Sequence, residues 1–311
     1  RDFDFSIRKV DLIGFHGQTI FHDSDNKTSK QLGDGNLLSQ LTRKTVVYDF
    51  RQNDLNHGGQ GAPLTPIFHN LISNKIYNEN KRECPNFLNI GGISNLTLIK
   101  DFKQESLISK DIGPGNCLID EWIRRNKKGN YDKNGEIASQ GKTNKLILDQ
   151  ALDDFENIPA KSINSFDVND FEINFLRGLD LEDGASTITD FTSNIIASKL
   201  LATISKYNQK ICKVILCGGG KKNKTLIERI KRDSHNKLKF ETTDDYGVDG
   251  DFVESQAFAY LAIRSFLKLP ISFPNTTGCE LPSTGGIFAM NRPGGGLMPR
   301  PMPSRGSTTR A

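Results

Sequence analysis

FTSNIIASKLLATISKYNQKICKVILCGGG, residues 191–220, holds the parts of an α/β unit in order. Ile195, Ile196, Leu200, Leu201 and Ile204 recur at helical spacing and predict an amphipathic helix over 191–207. Lys213–Leu216 is a short β-prone run, and Gly218-Gly219-Gly220 closes it in a turn suited to residues without a Cβ. Helix, strand and glycine loop in succession indicate an α/β fold whose ligands sit at the carboxyl ends of strands.

The same alternation extends to both sides. Thr225–Ile230 predicts a helix, Leu238–Thr242 a strand and Glu254–Leu267 (ESQAFAYLAIRSFL) a strongly apolar helix. Towards the N-terminus, Val10–Phe15 and Thr45–Tyr48 are β-prone runs that end in the polar turns His16-Gly17-Gln18-Thr19 and Asp49-Phe50-Arg51. Asn86–Ile90 and Ser94–Ile99, separated by Gly91-Gly92, predict a β-hairpin. Cys117–Arg125 has helical spacing, with Asn116 placed as its N-cap. Residues 126–185 are Asn/Lys/Asp-rich and yield no assignable element, and 290–311, rich in Pro, Gly and Ser, predicts a disordered tail.

Lys and Arg number 41 against 37 Asp and Glu, and the two signs alternate along most of the chain, which argues against a nucleic-acid partner. No apolar run is long enough to cross a bilayer. The five cysteines form an odd set without a C-x-x-C pair, which fits neither a disulfide framework nor a zinc site and suits a reducing, cytoplasmic setting. The five histidines lack ligand spacing, so no protein-built transition-metal site is expected.

Two motifs fail on inspection. Gly135–Thr143 (GEIASQGKT) has five residues rather than four before Gly141-Lys142-Thr143, and no strand precedes it. Gly218-Gly219-Gly220 follows a strand, but Asn223 stands where a dinucleotide fingerprint needs glycine. The three glycines are then either a tight turn or a place where backbone approaches a nucleotide. Asp111, fixed from behind by Gly113-Pro114-Gly115, is either a turn residue or a rigid general base. Asp249, Asp251 and Glu254 either cap the following helix or contact a substrate or a metal-bound water.

The order of these segments is more specific than any of them. His16-Gly17-Gln18-Thr19, Asp49-Phe50-Arg51, Gly58-Gly59-Gln60-Gly61-Ala62-Pro63, Leu88–Leu96 (LNIGGISNL), Asp111-x-Gly-Pro-Gly-Asn116, Cys217–Gly220 and Gly250-Asp251-x-x-Glu254 succeed one another. In that order the chain resembles the anhydro-N-acetylmuramic acid kinase family, of the sugar kinase, Hsp70 and actin superfamily. The resemblance implies a two-lobed actin-like ATPase fold, with ATP and Mg²⁺ between the lobes and a small-molecule substrate, 1,6-anhydro-N-acetylmuramic acid, recovered in peptidoglycan turnover. It implies Asp111 as the catalytic base, Gly91, Gly92 and Asn95 as a phosphate-binding hairpin, and Gly218, Gly219 and Gly220 as the adenosine loop. His16, Gln18, Gln60, Gly61, Pro63 and Glu254 are implied on the substrate side, and a homodimer is common in the family. An inactive sugar-binding or scaffold protein of the same fold is the alternative.

On this reading residues 1–110 are the remainder of the N-terminal lobe, 111–289 the C-terminal lobe and 290–311 the tail. The family's opening strand, with Gly-Thr-Ser-x-Asp-Gly, has no counterpart in the chain. The expectation is a fold lacking its first N-terminal strands, with weak ATP binding and a tendency to aggregate.

Overall fold

The computed structural model describes residues 9–80, 85–157, 166, 171–207 and 213–290. The expected tail after Met290 lies outside the described residues. Strands β1 (Leu12–Phe15), β2 (Gln18–Asp23) and β3 (Thr28–Leu32) lead to α1 (Gly35–Thr42), β4 (Thr45–Tyr48), α2 (Gln52–Asn56) and α3 (Pro66–Asn80). The meander β5 (Asn86–Ile90), β6 (Ile93–Leu98), β7 (Ile108–Pro114) follows, then α4 (Cys117–Arg125), α5 (Glu136–Gln140), α6 (Lys145–Glu156) and α7 (Leu181–Lys206). The chain continues through β8 (Lys213–Cys217), α8 (Lys224–Asp233), β9 (Lys239–Thr242), α9 (Val253–Phe266), α10 (Pro274–Thr277) and β10 (Ile287–Ala289).

A five-stranded sheet of order β7-β6-β5-β8-β9 is the centre of the molecule. The meander β5-β6-β7 is antiparallel, whereas β8 joins β5 and β9 joins β8 in parallel. A smaller sheet carries β4 between parallel β1 and antiparallel β10, and β2 and β3 pair as a separate ribbon.

Alternation across the pleat divides the large sheet into two cores. Leu88, Ile90, Leu96, Leu98 and Ile112 face α4, α6, α7 and α8 and belong to the first. Phe87, Ile215 and Cys217 face the other way, with α3, α9 and Val47 of the small sheet. The second face of the large sheet thus packs on the small sheet through α3 and α9, and a cleft remains at one end of it, lined by Thr65, His69, Asn89, Gly218 and Glu254.

The helix expected over 191–207 is longer, since α7 starts at Leu181 with the Asp180 side chain accepting from Asp183 N. Its first turns bury Gly184, Ser186, Thr187, Thr189 and Thr192 as well as Ile188 and Phe191. A helix enclosed on all sides shows no amphipathic stripe, which leaves its start without a periodic signal. Asn116 does not cap α4 with its side chain. Its backbone N–H donates instead to Gly91 O at 2.8 Å, tying the helix start to the β5–β6 turn.

Candidate functional site

The face of the large sheet turned towards α3 and α9 carries a polar row, of which Asn89 and Cys217 line a cavity. Strand register sets Cys217 of β8 opposite Asn89 of β5, Asn89 opposite Asn95 of β6, and Asn95 opposite Asp111 of β7. A bulge between Ser94 and Asn95, with Gly113 at φ +148°, produces the last pairing. Asp111 stands on the edge strand, where its Oδ2 accepts from the backbone N–H of Phe166 at 2.9 Å. That bond orients the carboxylate at the row's end. Gly115 N and Cys117 N donate to Gly92 O at 2.8 and 3.2 Å, so the Gly91-Gly92 turn and the Asp111–Asn116 segment form one locked unit. Gly91 N donates to Ile93 O at 3.2 Å.

At the other end of the row, β8 runs into the glycine loop. Gly218 has φ +79°, and a Cβ there would stand 2.5 Å from Asn89 Oδ1 and 2.6 Å from Ile90 O. A Cβ on Gly220 would stand 2.2 Å from Ile90 Cγ2, but one on Gly219 would meet nothing within 4 Å. Gly219 and Lys222 are shared by two cavities. One of about 570 Å³ is lined by Thr65, His69, Asn89, Gly218, Asp251 and Glu254. The other, of about 380 Å³, is lined by Asn116, Asp120, Tyr131, Lys133, Asn134 and Asn223. Both fall in the size range of small-molecule sites, roughly 300–1,000 Å³. The two cavities adjoin at the glycine loop.

Charges around that junction are paired across loops. Lys222 Nζ meets Asp251 at 2.7 Å and Lys221 Nζ meets Asp244 at 2.7 Å. Asp251 therefore spends its carboxylate on the glycine loop, and no side chain caps α9, whose first turn holds Glu254. Burial pushes Asp120 up to about 6, with Arg124 opposing and Asp132 adding to the rise. His69 is buried, stacks on Phe87 at 4.6 Å and hydrogen-bonds Thr97 Oγ1 at 2.9 Å, and burial pushes it down to about 3.

A second cluster gathers around Arg51. Its Nε donates to His16 Nε2 at 3.1 Å and its Nη1 to Gly61 O at 2.8 Å. The His16 ring lies 4.2 Å from that of Phe258, and its Nδ1 contacts Gly17 O at 2.9 Å. Burial, then the neighbouring guanidinium, pushes His16 down to about 4, which keeps it the neutral acceptor that Arg51 requires. Burial lowers the Arg51 pKa, and the nearby Glu254 and Asp54 carboxylates oppose the shift. Buried Asp54 in turn accepts from Gly61 N and from Thr277 Oγ1, each at 2.7 Å.

His16, Gly61 and Glu254 thus meet through Arg51, to which no motif of the sequence gives a role. Arg51 is the only Lys or Arg between Lys44 and Lys75, directly between a strand and a glycine-rich loop, and that isolation was the available signal. Gln60 N donates to Thr277 O at 2.8 Å, and Pro63 follows a cis peptide bond from Ala62. Gln18 is exposed at the start of β2, paired with Leu32.

Known proteins share this sequence closely. The family described as anhydro-N-acetylmuramic acid kinase matches residues 1–290. A curated protein of that name from Pelagibacter ubique is 54% identical over 283 residues, 91% of this chain and 74% of its own length. Proteins of the same name from Zymomonas mobilis and Rhizobium etli are 39% and 37% identical, over 89% and 92% of this chain and 72% and 75% of theirs. Among solved structures, the activator of the 2-hydroxyisocaproyl-CoA dehydratase from Clostridium difficile with bound ADPNP aligns at TM-score 0.35 and 10% identity. That alignment covers 57% of this chain and 59% of that one. No helix among the described residues is long and apolar enough to cross a membrane.

Proposed function

This chain belongs to the anhydro-N-acetylmuramic acid kinase family, and on that premise we propose that it uses ATP to convert 1,6-anhydro-N-acetylmuramic acid into N-acetylmuramic acid 6-phosphate. The fold is the α/β actin-like architecture of that family, with the sugar on the Arg51 side of the cleft and the nucleotide along the glycine loop.

The observation that carries the reading is the cross-strand row. It runs from Asn89, against the glycine loop, to Asp111 on the edge strand. Strands in a sheet lie about 4.8 Å apart, so two spacings separate the ends by roughly 10 Å. That distance leaves room for one sugar ring between the phosphate chain and the base.

Asp111 takes a proton from water as the water oxygen bonds to C1 of the sugar. The C1–O6 bond breaks, and O6, now carrying the electron pair, accepts the γ-phosphoryl group while ADP leaves. Positioning and charge stabilisation dominate such transfers. Gly218, Gly219 and the Gly91-Gly92 turn place backbone beside the phosphates. Asp251 and Glu254 are the carboxylates lining the larger cavity; Asp251 is paired with Lys222, so Glu254 is the one that would hold Mg²⁺, which takes one or two carboxylates together with substrate phosphates. When bound, the ion neutralises charge on the phosphoryl group being transferred. Arg51 is the cation available to the lactyl carboxylate of the sugar, with His16 and Gly61 holding the guanidinium in plane.

The described cysteines Cys117, Cys217 and Cys279 are buried free thiols, which suits a reducing cytoplasm. Mass spectrometry of the anhydro sugar after incubation with ATP and Mg²⁺ tests the reaction. The expected product is heavier by water plus one phosphoryl group. Asp111→Asn should lower kcat by about 10²–10⁴-fold and leave sugar affinity within a few-fold. Loss of sugar binding alone would count against Asp111 as the base.

A further inference from the structure

Asn95 occupies the middle of the polar row, one strand from Asp111 and one from Asn89. Its Oδ1 is fully buried and receives no hydrogen bond from the described residues. A buried acceptor without a donor is destabilising, and native proteins keep few of them. The side chain also owes its place opposite Asp111 to a bulge, a device that re-aims side chains beside active sites. Without the bulge, Asn95 would be opposite another residue of β7.

We infer that Asn95 and Asp111 together hold the attacking water, with Asn95 Oδ1 accepting one O–H and the Asp111 carboxylate the other. The inference rests on the reading of Asp111 as the base. A water that donates both hydrogens to the row presents both lone pairs away from the sheet, towards C1 of the sugar. As the oxygen–C1 bond forms and C1–O6 breaks, the O–H aimed at Asp111 gives up its proton to the carboxylate. The O–H held by Asn95 stays with the product as the new anomeric hydroxyl. O6 takes the γ-phosphoryl group, ADP leaves, and Asp111 returns its proton to solvent.

Asn95 Oδ1 is closed to bulk solvent in the ligand-free protein, so seating the water requires the Asn95 side chain to turn as the sugar enters. Catalytic hydrogen bonds commonly tighten only in the substrate complex. Asn95 is then a positioning residue for the water, and Asn89, which sits against Gly218, is the amide nearer the phosphates.

Steady-state kinetics and nucleotide binding of Asn95→Ala, run beside the wild type, test this assignment. The expected kcat falls about 10²-fold with the KM for ATP and the Kd for ADP unchanged within about threefold, and the solvent deuterium isotope effect on kcat rises. Asn95→Ser, which restores a shorter oxygen, recovers part of the lost kcat. A tenfold rise in the KM for ATP with kcat retained would make Asn95 a phosphate ligand and overturn the inference. An undiminished kcat would overturn it equally. If Asn95→Ala does not fold, Asn95→Ser is judged by the same separation of kcat from KM. Absence of phosphorylated sugar from the wild type refutes the assigned reaction, whereas wild-type turnover with an unimpaired Asn95→Ala refutes only the water seat.

Discussion

The loops Gly58–Gly61 and Gly218–Gly220 are alike in composition, but they are held in different ways. The first is fixed by side-chain chemistry. Asp54 binds Gly61 N and Thr277 Oγ1, a Cβ on Gly59 would stand 2.2 Å from Asp54 Oδ2, and Arg51 holds Gly61 O. The second is fixed by packing, because Gly218 and Gly220 are pressed against Asn89 and Ile90 of the neighbouring strand. A loop held by ionisable groups responds to charge and pH, whereas one held by close packing responds to volume.

The largest effect expected from breaking this contrast is at Asp54. Asp54→Ala removes a buried acceptor and strands the donors of Gly61 and Thr277, which should cost about 3–5 kcal/mol of stability. Denaturant unfolding monitored at equilibrium would measure it. A loss under about 1 kcal/mol would mean that the first loop, like the second, is held mainly by packing.

The contrast also explains what the sequence did and did not disclose. The β5–β6 hairpin was legible because Gly91-Gly92 separates two alternating β-prone runs, a purely local signal. The pairing of β5 with β8 and the bulge that aligns Asn95 with Asp111 were not, because register across distant strands is set by tertiary packing. Asp111 and the glycine loop could be picked out singly, yet their common row exists only once the sheet is assembled. Asn116 was expected to cap its helix because its residue type favours that role. In the fold its backbone N–H goes to Gly91 O, a partner 25 positions earlier. Arg51 escaped assignment for a related reason, since its partners His16, Gly61 and Glu254 are scattered along the chain.

A smaller effect should appear on acidification. His16 is pushed from 6.5 down to about 4 in the folded protein by burial and by Arg51. Its folded pKa is below its unfolded one, so the stability it contributes is fully present above pH 6.5. That contribution is lost as pH falls from 6.5 towards 4, because the unfolded chain takes up the proton first. After discounting for partial exposure, the loss should be about 2 kcal/mol. Comparing wild type with His16→Gln at each pH cancels the parallel contribution of His69, which is shared by both proteins. Wild type should lose its margin over the variant between pH 6.5 and 4. An unchanged difference would detach His16 from the anchoring of the first loop.

The smallest effect on stability, and the sharpest on function, belongs to Gly219. It stands between two glycines that cannot accept a Cβ, and one added to Gly219 itself meets nothing within 4 Å. Gly219→Ala should therefore change stability by no more than about 0.5 kcal/mol. The same position lines both cavities at their junction, so the new methyl occupies the space into which a nucleotide would fit. Calorimetric titration with ADP should show affinity reduced about tenfold, close to the 1.4 kcal/mol that one misplaced methyl can impose on a packed ligand. Unchanged affinity would make the three glycines a tight turn serving only the strand beneath them. Reduced affinity at constant stability would assign the openness at Gly219 to the ligand, which separates a glycine kept for the fold from one kept for what the fold binds.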